Sequence, residues 1–153
     1  MAMANAQRDA GDLTGAVATY QRSIALDARA PLAWVNLGIA LTHLGDHPGA
    51  ATALVRAASI DAAEPLAWYN LANLSFARAE YAAAVPLYER AIALDGALVE
   101  AHFQLARAAL LQARPDSARA LRHLRRGLAF DSSNAAAVAQ AAVLAIPTRR
   151  RSQ

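Results

Sequence analysis

Residues 31–64 read PLAWVNLGIALTHLGDHPGAATALVRAASIDAAE, and residues 65–98 read PLAWYNLANLSFARAEYAAAVPLYERAIALDGAL. The two stretches are near-copies in a register of 34 residues. The identical pairs that define this register are Pro31/Pro65, Trp34/Trp68, Asn36/Asn70, Leu37/Leu71, Ala57/Ala91 and Asp61/Asp95. A self-match at a fixed period of this length is the sequence signature of a repeat architecture.

The same register extends to both sides of the two copies. Residues 1–30 correspond to a first repeat that lacks its first four positions, so we expect the natural repeat to begin further upstream. Residues 99–134 correspond to a fourth repeat, in which the second half arrives two residues late. We place that insertion in residues 112–117, because extra residues in a turn leave the flanking helices intact.

Each repeat is predicted to contain two helices. Apolar residues recur every three to four positions, the period of one helix face, over residues 31–44 and again over residues 48–60. Pro31 suits the first turn of a helix, where its missing N–H costs nothing. Pro86 is expected to lie near the start of its helix and to be tolerated there.

The chain is predicted to end in a lone helix and a basic tail. Asn134 follows two serines, and these residue types favour the start of a helix, here over residues 135–146. This helix is expected to cap a single domain spanning residues 1–146. Residues 147–153 begin with a proline, contain three arginines, and are predicted to be disordered.

The composition favours a helical protein without a redox framework. Of 153 residues, 43 are alanine, the strongest helix former, and none is cysteine or lysine. The net charge of +3 resides in the arginines at 149–151, so a nucleic-acid partner is not favoured. Neither a secretory signal nor an apolar run of about 18 residues is found, so no membrane association is predicted and a cytoplasmic location is the expectation.

The repeat resembles the tetratricopeptide repeat, whose pattern is W-x2-L-G-x2-Y followed by A-x3-F. Trp34, Leu37 and Gly38 match the first part, and Ala50 and Leu54 match the second. The resemblance implies an all-α, right-handed α-solenoid of antiparallel helix pairs, with about four repeats plus the capping helix. It also implies a concave groove lined by the first helix of each repeat. His102 departs from the pattern, because it stands where Trp34 and Trp68 stand in the preceding repeats.

The family register predicts which side chains line the groove. They are Val35, Asn36, Ile39, His43, Tyr69, Asn70, Asn73, Phe76, Phe103, Gln104 and Arg107. Amides among apolar and aromatic side chains suit an extended peptide. Asn36, Asn70 and Gln104 hold equivalent positions, which is similar to the asparagine ladder of O-linked N-acetylglucosamine transferases. The alternative is that each amide satisfies backbone groups of a neighbouring repeat.

Other site chemistry is weakly represented. A two-carboxylate clamp would need basic residues where Met1, Leu66 and Asn70 stand. His43 and His47 are four residues apart, but a glycine turn separates them, so no metal site is predicted. No cofactor and no catalysis are predicted. Four arginines of the eighth helix, Arg119, Arg122, Arg125 and Arg126, form either a solvated convex face or a contact with acidic protein or nucleic acid.

The sequence therefore predicts a scaffold that binds a protein or peptide partner in its groove. Two alternatives remain open at this point. The chain could be the non-catalytic repeat segment of a larger enzyme, of the glycosyl- or sulfotransferase type. It could also associate with itself through the incomplete first repeat.

Overall fold

The computed structural model describes residues 1–145, and this part of the chain forms nine α-helices and no β-strand. The helices are α1 (Ala2–Asp9), α2 (Leu13–Leu26), α3 (Pro31–Leu44), α4 (His47–Ile60), α5 (Pro65–Ala77), α6 (Tyr81–Leu94), α7 (Val99–Leu111), α8 (Ser117–Phe130) and α9 (Ala135–Ala145). The predicted residue 146 of the last helix and the predicted disordered tail over residues 147–153 lie outside the described residues.

The helices form four consecutive pairs followed by α9. Each helix packs mainly on its neighbours in sequence, and the strongest packing is between the two helices of the second, third and fourth pairs. α3 also touches α5, which joins the first helices of adjacent repeats. This arrangement confirms the predicted all-α solenoid of helix pairs.

In three of the four repeats the second helix is capped by an aspartate. Asp12, Asp46 and Asp116 each accept a hydrogen bond of 2.9 Å from the backbone N–H three residues later, which satisfies one of the unpaired donors of the first turn. The turn before these helices needs a left-handed residue in the first three repeats. Gly11 and Gly45 supply it with φ of 83° and 82°, and Ala79 takes the equivalent place with φ of 59°. The insertion in the fourth repeat lies between α7 and α8, as predicted.

Small residues bring paired helices into close contact. Gly38 of α3 lies against Leu54 of α4, and a Cβ at position 38 would come within 2.6 Å of the Leu54 Cγ. Gly127 of α8 lies against Phe103 of α7 in the same way, at 2.5 Å. Four equivalent positions of the second helices are almost completely buried and hold the core of each pair: Tyr20, Leu54, Tyr88 and Leu124.

Two details differ from the prediction. Pro86 is the sixth residue of α6, one turn further into the helix than expected. α4 begins at His47 rather than at Pro48, because Asp46 caps it and Pro48 then occupies the first turn. Pro86 does not interrupt its helix, since α6 continues to Leu94.

Candidate functional site

The predicted groove contains a cavity of about 390 Å³ between α5, α7 and α9. Its walls combine aromatic rings, amides, one cation and one carboxylate. The lining residues are Tyr69, Glu100, Phe103, Gln104, Arg107, Leu124, Asn134, Ala136, Ala137 and Gln140. Four of the predicted groove residues therefore meet in one place: Tyr69, Phe103, Gln104 and Arg107.

Arg107 is positioned by an aromatic ring and an amide. Its guanidinium lies 5.0 Å from the centre of the Phe76 ring, and its Nη1 donates a 2.8 Å hydrogen bond to the Gln104 Oε1. Among the ion pairs of residues 1–145, none involves Arg107. The side chain is thus oriented along the groove while its charge is not neutralised by a carboxylate.

Asn73 is committed to the fold. The Tyr88 hydroxyl donates a 2.7 Å hydrogen bond to the Asn73 Oδ1, and burial raises the pKa of this tyrosine. Tyr20 and Asn5 form the same pair two repeats earlier, with the hydroxyl donating to the Asn5 Oδ1. The Asn73 Oδ1 therefore already accepts from a buried hydroxyl, while its N–H groups are still available to a ligand.

Two asparagines in the N-terminal half of the groove are hydrogen-bonded within the protein. The Asn36 Oδ1 accepts a 3.3 Å hydrogen bond from Arg8 of the preceding repeat, and the Asn70 Nδ2 donates to the Leu66 backbone carbonyl of its own helix at 2.8 Å. Neither contact is with the backbone of a neighbouring repeat, so the two readings of these amides both stay predictions. Ile39 is half-buried beside them.

Val35 was expected to line the groove, and this is wrong, because its side chain is only 1% exposed. It packs in the core cluster of the second repeat with Leu54 and Leu74. The equivalent Tyr69 and Phe103 are large enough to reach the surface and stay half-buried. His43 is exposed at the end of α3.

The contribution of α9 to the cavity was not predicted. Asn134 caps α9 by accepting a 3.0 Å hydrogen bond from the Ala137 N–H, and Gln140 follows in the cavity wall. A sequence signal for it exists, because Gln140 lies 36 residues after Gln104, the spacing that the fourth repeat already shows. α9 is therefore placed like the first helix of a further repeat.

His102 takes over the role of a tryptophan. Trp34 and Trp68 each donate from Nε1 to the carbonyl six residues earlier, at 3.0 Å, and the His102 Nε2 lies 3.2 Å from the equivalent Gly96 carbonyl. A carbonyl can only accept, so the neutral ring carries its proton on Nε2. The His102 Nδ1 then accepts from the Nδ1–H of His123, which lies 3.0 Å away.

Both histidines are less basic than usual. Burial lowers the pKa of His102, the Gly96 hydrogen bond opposes this, and Arg126 lowers it further. Burial likewise lowers the pKa of His123 to about 4, assisted by the charges of His102, Arg122 and Arg119. The pair is therefore neutral at pH 7.

Family models that match this chain both describe the same kind of repeat. Two family models described as tetratricopeptide repeat match residues 1–67 and residues 67–99. A search of curated proteins finds no significant sequence match.

Solved structures with the same fold include two of MamA and one of YrrB. The crystal structure of MamA is 21% identical with a TM-score of 0.81, covering 94% of this chain and 83% of that one. MamA from Desulfovibrio magneticus RS-1, residue 41 to the end, is 17% identical with a TM-score of 0.79, covering 93% and 79%. YrrB, "a TPR protein with an unusual peptide-binding site", is 22% identical with a TM-score of 0.74, covering 92% and 72%.

At these identities the neighbours establish the fold and not a shared ligand. The resemblance to O-linked N-acetylglucosamine transferases stays a prediction that these matches do not test. The family-model matches along residues 1–99, together with four helix pairs in a 34-residue register, establish that this chain belongs to the tetratricopeptide repeat family.

Proposed function

We propose that this protein is a non-catalytic interaction scaffold that binds an extended peptide segment of a partner protein across α5, α7 and α9. The observation that carries the proposal is the cavity of about 390 Å³ at the C-terminal end of the groove. This volume lies within the range of roughly 300–1,000 Å³ that is usual for ligand pockets.

The cavity offers the three kinds of contact that an extended segment needs. Tyr69 and Phe103 provide apolar surface for one side chain of the peptide. Gln104, Asn134 and Gln140 provide amides. The oxygens of Gln104 and Asn134 each already accept one hydrogen bond, so these residues offer chiefly their N–H groups to peptide carbonyls, whereas Gln140 can donate or accept.

The charged side chains of the cavity, Arg107 and Glu100, are expected to determine which peptides bind. Arg107 lacks a carboxylate partner among residues 1–145 and sits beside the aromatic wall, where a carboxylate of the ligand would reach it. Glu100 lies at the same cavity and would accept a donor from the ligand. We therefore expect peptides with an aromatic or large aliphatic residue next to an acidic residue. That YrrB is described as having a peptide-binding site is in keeping with this function, although the identity of 22% supports the fold alone.

The test is selection of peptides from a random display library on the purified protein, followed by affinity measurement. Gln104→Ala with Arg107→Ala is expected to weaken the selected peptides at least about tenfold, since a hydrogen bond to a charged group contributes roughly 1.5–3 kcal/mol. The matched control, Gln21→Ala with Arg56→Ala, removes the same residue types from exposed positions outside the cavity. Peptides that bind both double variants equally, with unchanged helical melting, would contradict the proposal.

Self-association stays a prediction. Met1, which precedes α1, and Met3 within it are 45% and 62% exposed, and Val143 of the last helix is 67% exposed. Both ends of the described solenoid thus present apolar side chains, and light scattering over a range of concentrations would reveal association through them.

A further inference from the structure

A second cavity, of about 450 Å³, lies on another side of the fourth repeat. It is lined by His102, Arg122, His123, Arg125 and Arg126. Arg122 and Arg126 are four residues apart and share one side of α8. That side is opposite the buried Leu124, which borders the groove cavity. The second cavity is therefore separate from the proposed peptide site.

The other repeats serve as an internal comparison, because they share the same backbone arrangement. Three lining positions are basic or histidine only in the fourth repeat. The equivalents of Arg122 are Ala18, Thr52 and Pro86; those of His123 are Thr19, Ala53 and Leu87; and those of Arg125 are Gln21, Val55 and Glu89. The fold does not require these positive or imidazole side chains, since three repeats are built without them.

Arg126 has a different origin. Arg22, Arg56 and Arg90 occupy its position in the other repeats. Arg90 lies 5.9 Å from the Trp68 ring and 3.5 Å from the Ala62 carbonyl, so this arginine covers the tryptophan position. In the fourth repeat Arg126 lies beside His102 instead of a tryptophan. Arg122 and Arg125 add two further positive charges next to Arg126.

These charges are not neutralised within the described chain. Arg119 is held by Glu89 at 3.6 Å and Asp116 at 3.3 Å. No ion pair of residues 1–145 involves Arg122, Arg125 or Arg126. Residues 101–145 contain six arginines and only two aspartates, whereas residues 1–100 contain six arginines and ten carboxylates. Positive potential is thus concentrated around this cavity.

The histidine pair supplies a ring nitrogen that can hydrogen-bond at the cavity. With the His123 Nδ1–H donated to His102, the His123 Nε2 has no hydrogen-bond partner among the described residues. Burial, followed by the charges of His102, Arg122 and Arg119, lowers the pKa of this ring. A bound anion would offset the arginine charges and favour uptake of a proton from solvent at Nε2, which would then donate to the anion.

We propose that Arg122, Arg125 and Arg126, together with His123, form a binding site for a single phosphate group. Guanidinium groups bind phosphate oxygens in a bidentate manner. Three guanidinium groups match the two negative charges of a phosphate better than the single charge of a carboxylate. Arg122 and Arg126 are about 6 Å apart along the helix axis, so both guanidinium groups can reach one phosphate. The source of the group is either a phosphorylated side chain of a partner or free phosphate.

The experiment is a titration of the full chain followed by NMR of the histidine rings and by calorimetry. The probes are inorganic phosphate, a phosphoserine peptide, its unphosphorylated form, and a single-stranded oligonucleotide. We expect saturable shifts of the His102 and His123 ring signals with phosphate or the phosphopeptide. Arg122→Ala with Arg125→Ala should weaken binding at least about tenfold. Arg29→Ala with Arg56→Ala removes equal charge from exposed positions and should leave binding unchanged.

The two sources give different results, and both support the site. Tighter binding of the phosphopeptide than of inorganic phosphate indicates a phosphorylated partner, and equal binding indicates free phosphate. Three results would overturn the proposal. They are the absence of saturable histidine shifts at millimolar phosphate, equal weakening in the two double variants, or preferential binding of the oligonucleotide with a steep salt dependence.

Discussion

His102 shows how one residue can replace another that is much larger. A tryptophan at this position fills space and donates one hydrogen bond to the preceding loop, as Trp34 and Trp68 do. His102 keeps the hydrogen bond to Gly96 but is smaller, and His123 fills the remaining space with its ring centre 5.2 Å away. The equivalent of His123 in the third repeat is Leu87. The pair of histidines thus substitutes for a tryptophan and a leucine.

This substitution makes stability depend on pH. Both histidine pKa values are lowered in the folded protein, to about 4 for His123, so below about pH 6.5 the unfolded chain binds more protons than the folded one. Folding stability therefore falls as the pH drops from 7 towards 4. The groups that face the pair are Arg119 and Arg122 on the same helix as His123, together with Arg126 and the Gly96 carbonyl, and only the histidines titrate in this range.

His102→Trp with His123→Leu restores the chemistry of the third repeat and is expected to reduce the loss of stability between pH 7 and pH 5. The measurement is the difference in thermal midpoint between the two pH values, compared with wild type. His43→Gln, at an exposed position, is the control and should behave as wild type. An unchanged pH dependence in the double variant would contradict the assignment.

The sequence predicted the environment of some individual residues and not of others. The period of 34 placed His102 in the tryptophan position correctly. It could not reveal the contact with His123, because the two are 21 residues apart and neither matches the other repeats. The burial of Val35 was missed because the family register predicts only which helix face a side chain lies on. The length of the side chain decides whether it reaches the groove from that face.

Helix boundaries were largely predictable, since they depend on local chemistry. Aspartate caps, glycine turns and prolines at first turns lie in the sequence itself, and the helices begin and end within one or two residues of the predicted positions. Pro86 is the exception. Proline prefers the first turn of a helix, but α6 begins at Tyr81, which places Pro86 in the second turn. In the second turn it leaves the Ala82 carbonyl without an intrahelical partner and crowds it.

Pro86→Ala is expected to stabilise the protein by about 1–3 kcal/mol, since it restores the hydrogen bond and removes the clash. The gain is reduced by the greater freedom of the unfolded chain, which is worth about 0.4–1 kcal/mol. Pro48→Ala is the matched control. Pro48 lies in the first turn of α4, where no hydrogen bond is lost, so its replacement should be neutral or slightly destabilising. Urea unfolding measures both, and a destabilised Pro86→Ala variant would show that α6 has adapted to its proline.

The whole molecule is held together by contacts between neighbours in sequence. Each helix packs on the preceding and following ones, with α3 and α5 as the additional contact between first helices. The core is correspondingly divided: one cluster surrounds Leu54 and Val35, and another surrounds Leu124 with Ala106 and Ala137. The repeat period predicted this division, because a repeat that contacts only its neighbours cannot form one central core.

The site depends on the same construction. The groove cavity needs three consecutive first helices, α5, α7 and α9, and the last of these lies at the end of the described solenoid. The sequence of α9 predicts a capping role only, because its side chains match the repeat pattern weakly. Its position in the stack, and hence its part in the cavity, follows from packing against α8.

Leu124→Ala should therefore unfold the protein locally. Leu124 is 1% exposed, and truncating a buried leucine costs about 2–5 kcal/mol. Because its cluster contains residues of α7, α8 and α9 only, hydrogen exchange is expected to accelerate in these three helices while α3 and α4 keep their protection. Leu54→Ala, which truncates an equally buried leucine in the second repeat, should shift the loss of protection to α3, α4 and α5. Mass spectrometry of exchanged peptides distinguishes the two patterns. Equal acceleration in all helices for both variants would mean that the nine described helices unfold as one cooperative unit, and that coupling between repeats exceeds the stability of each.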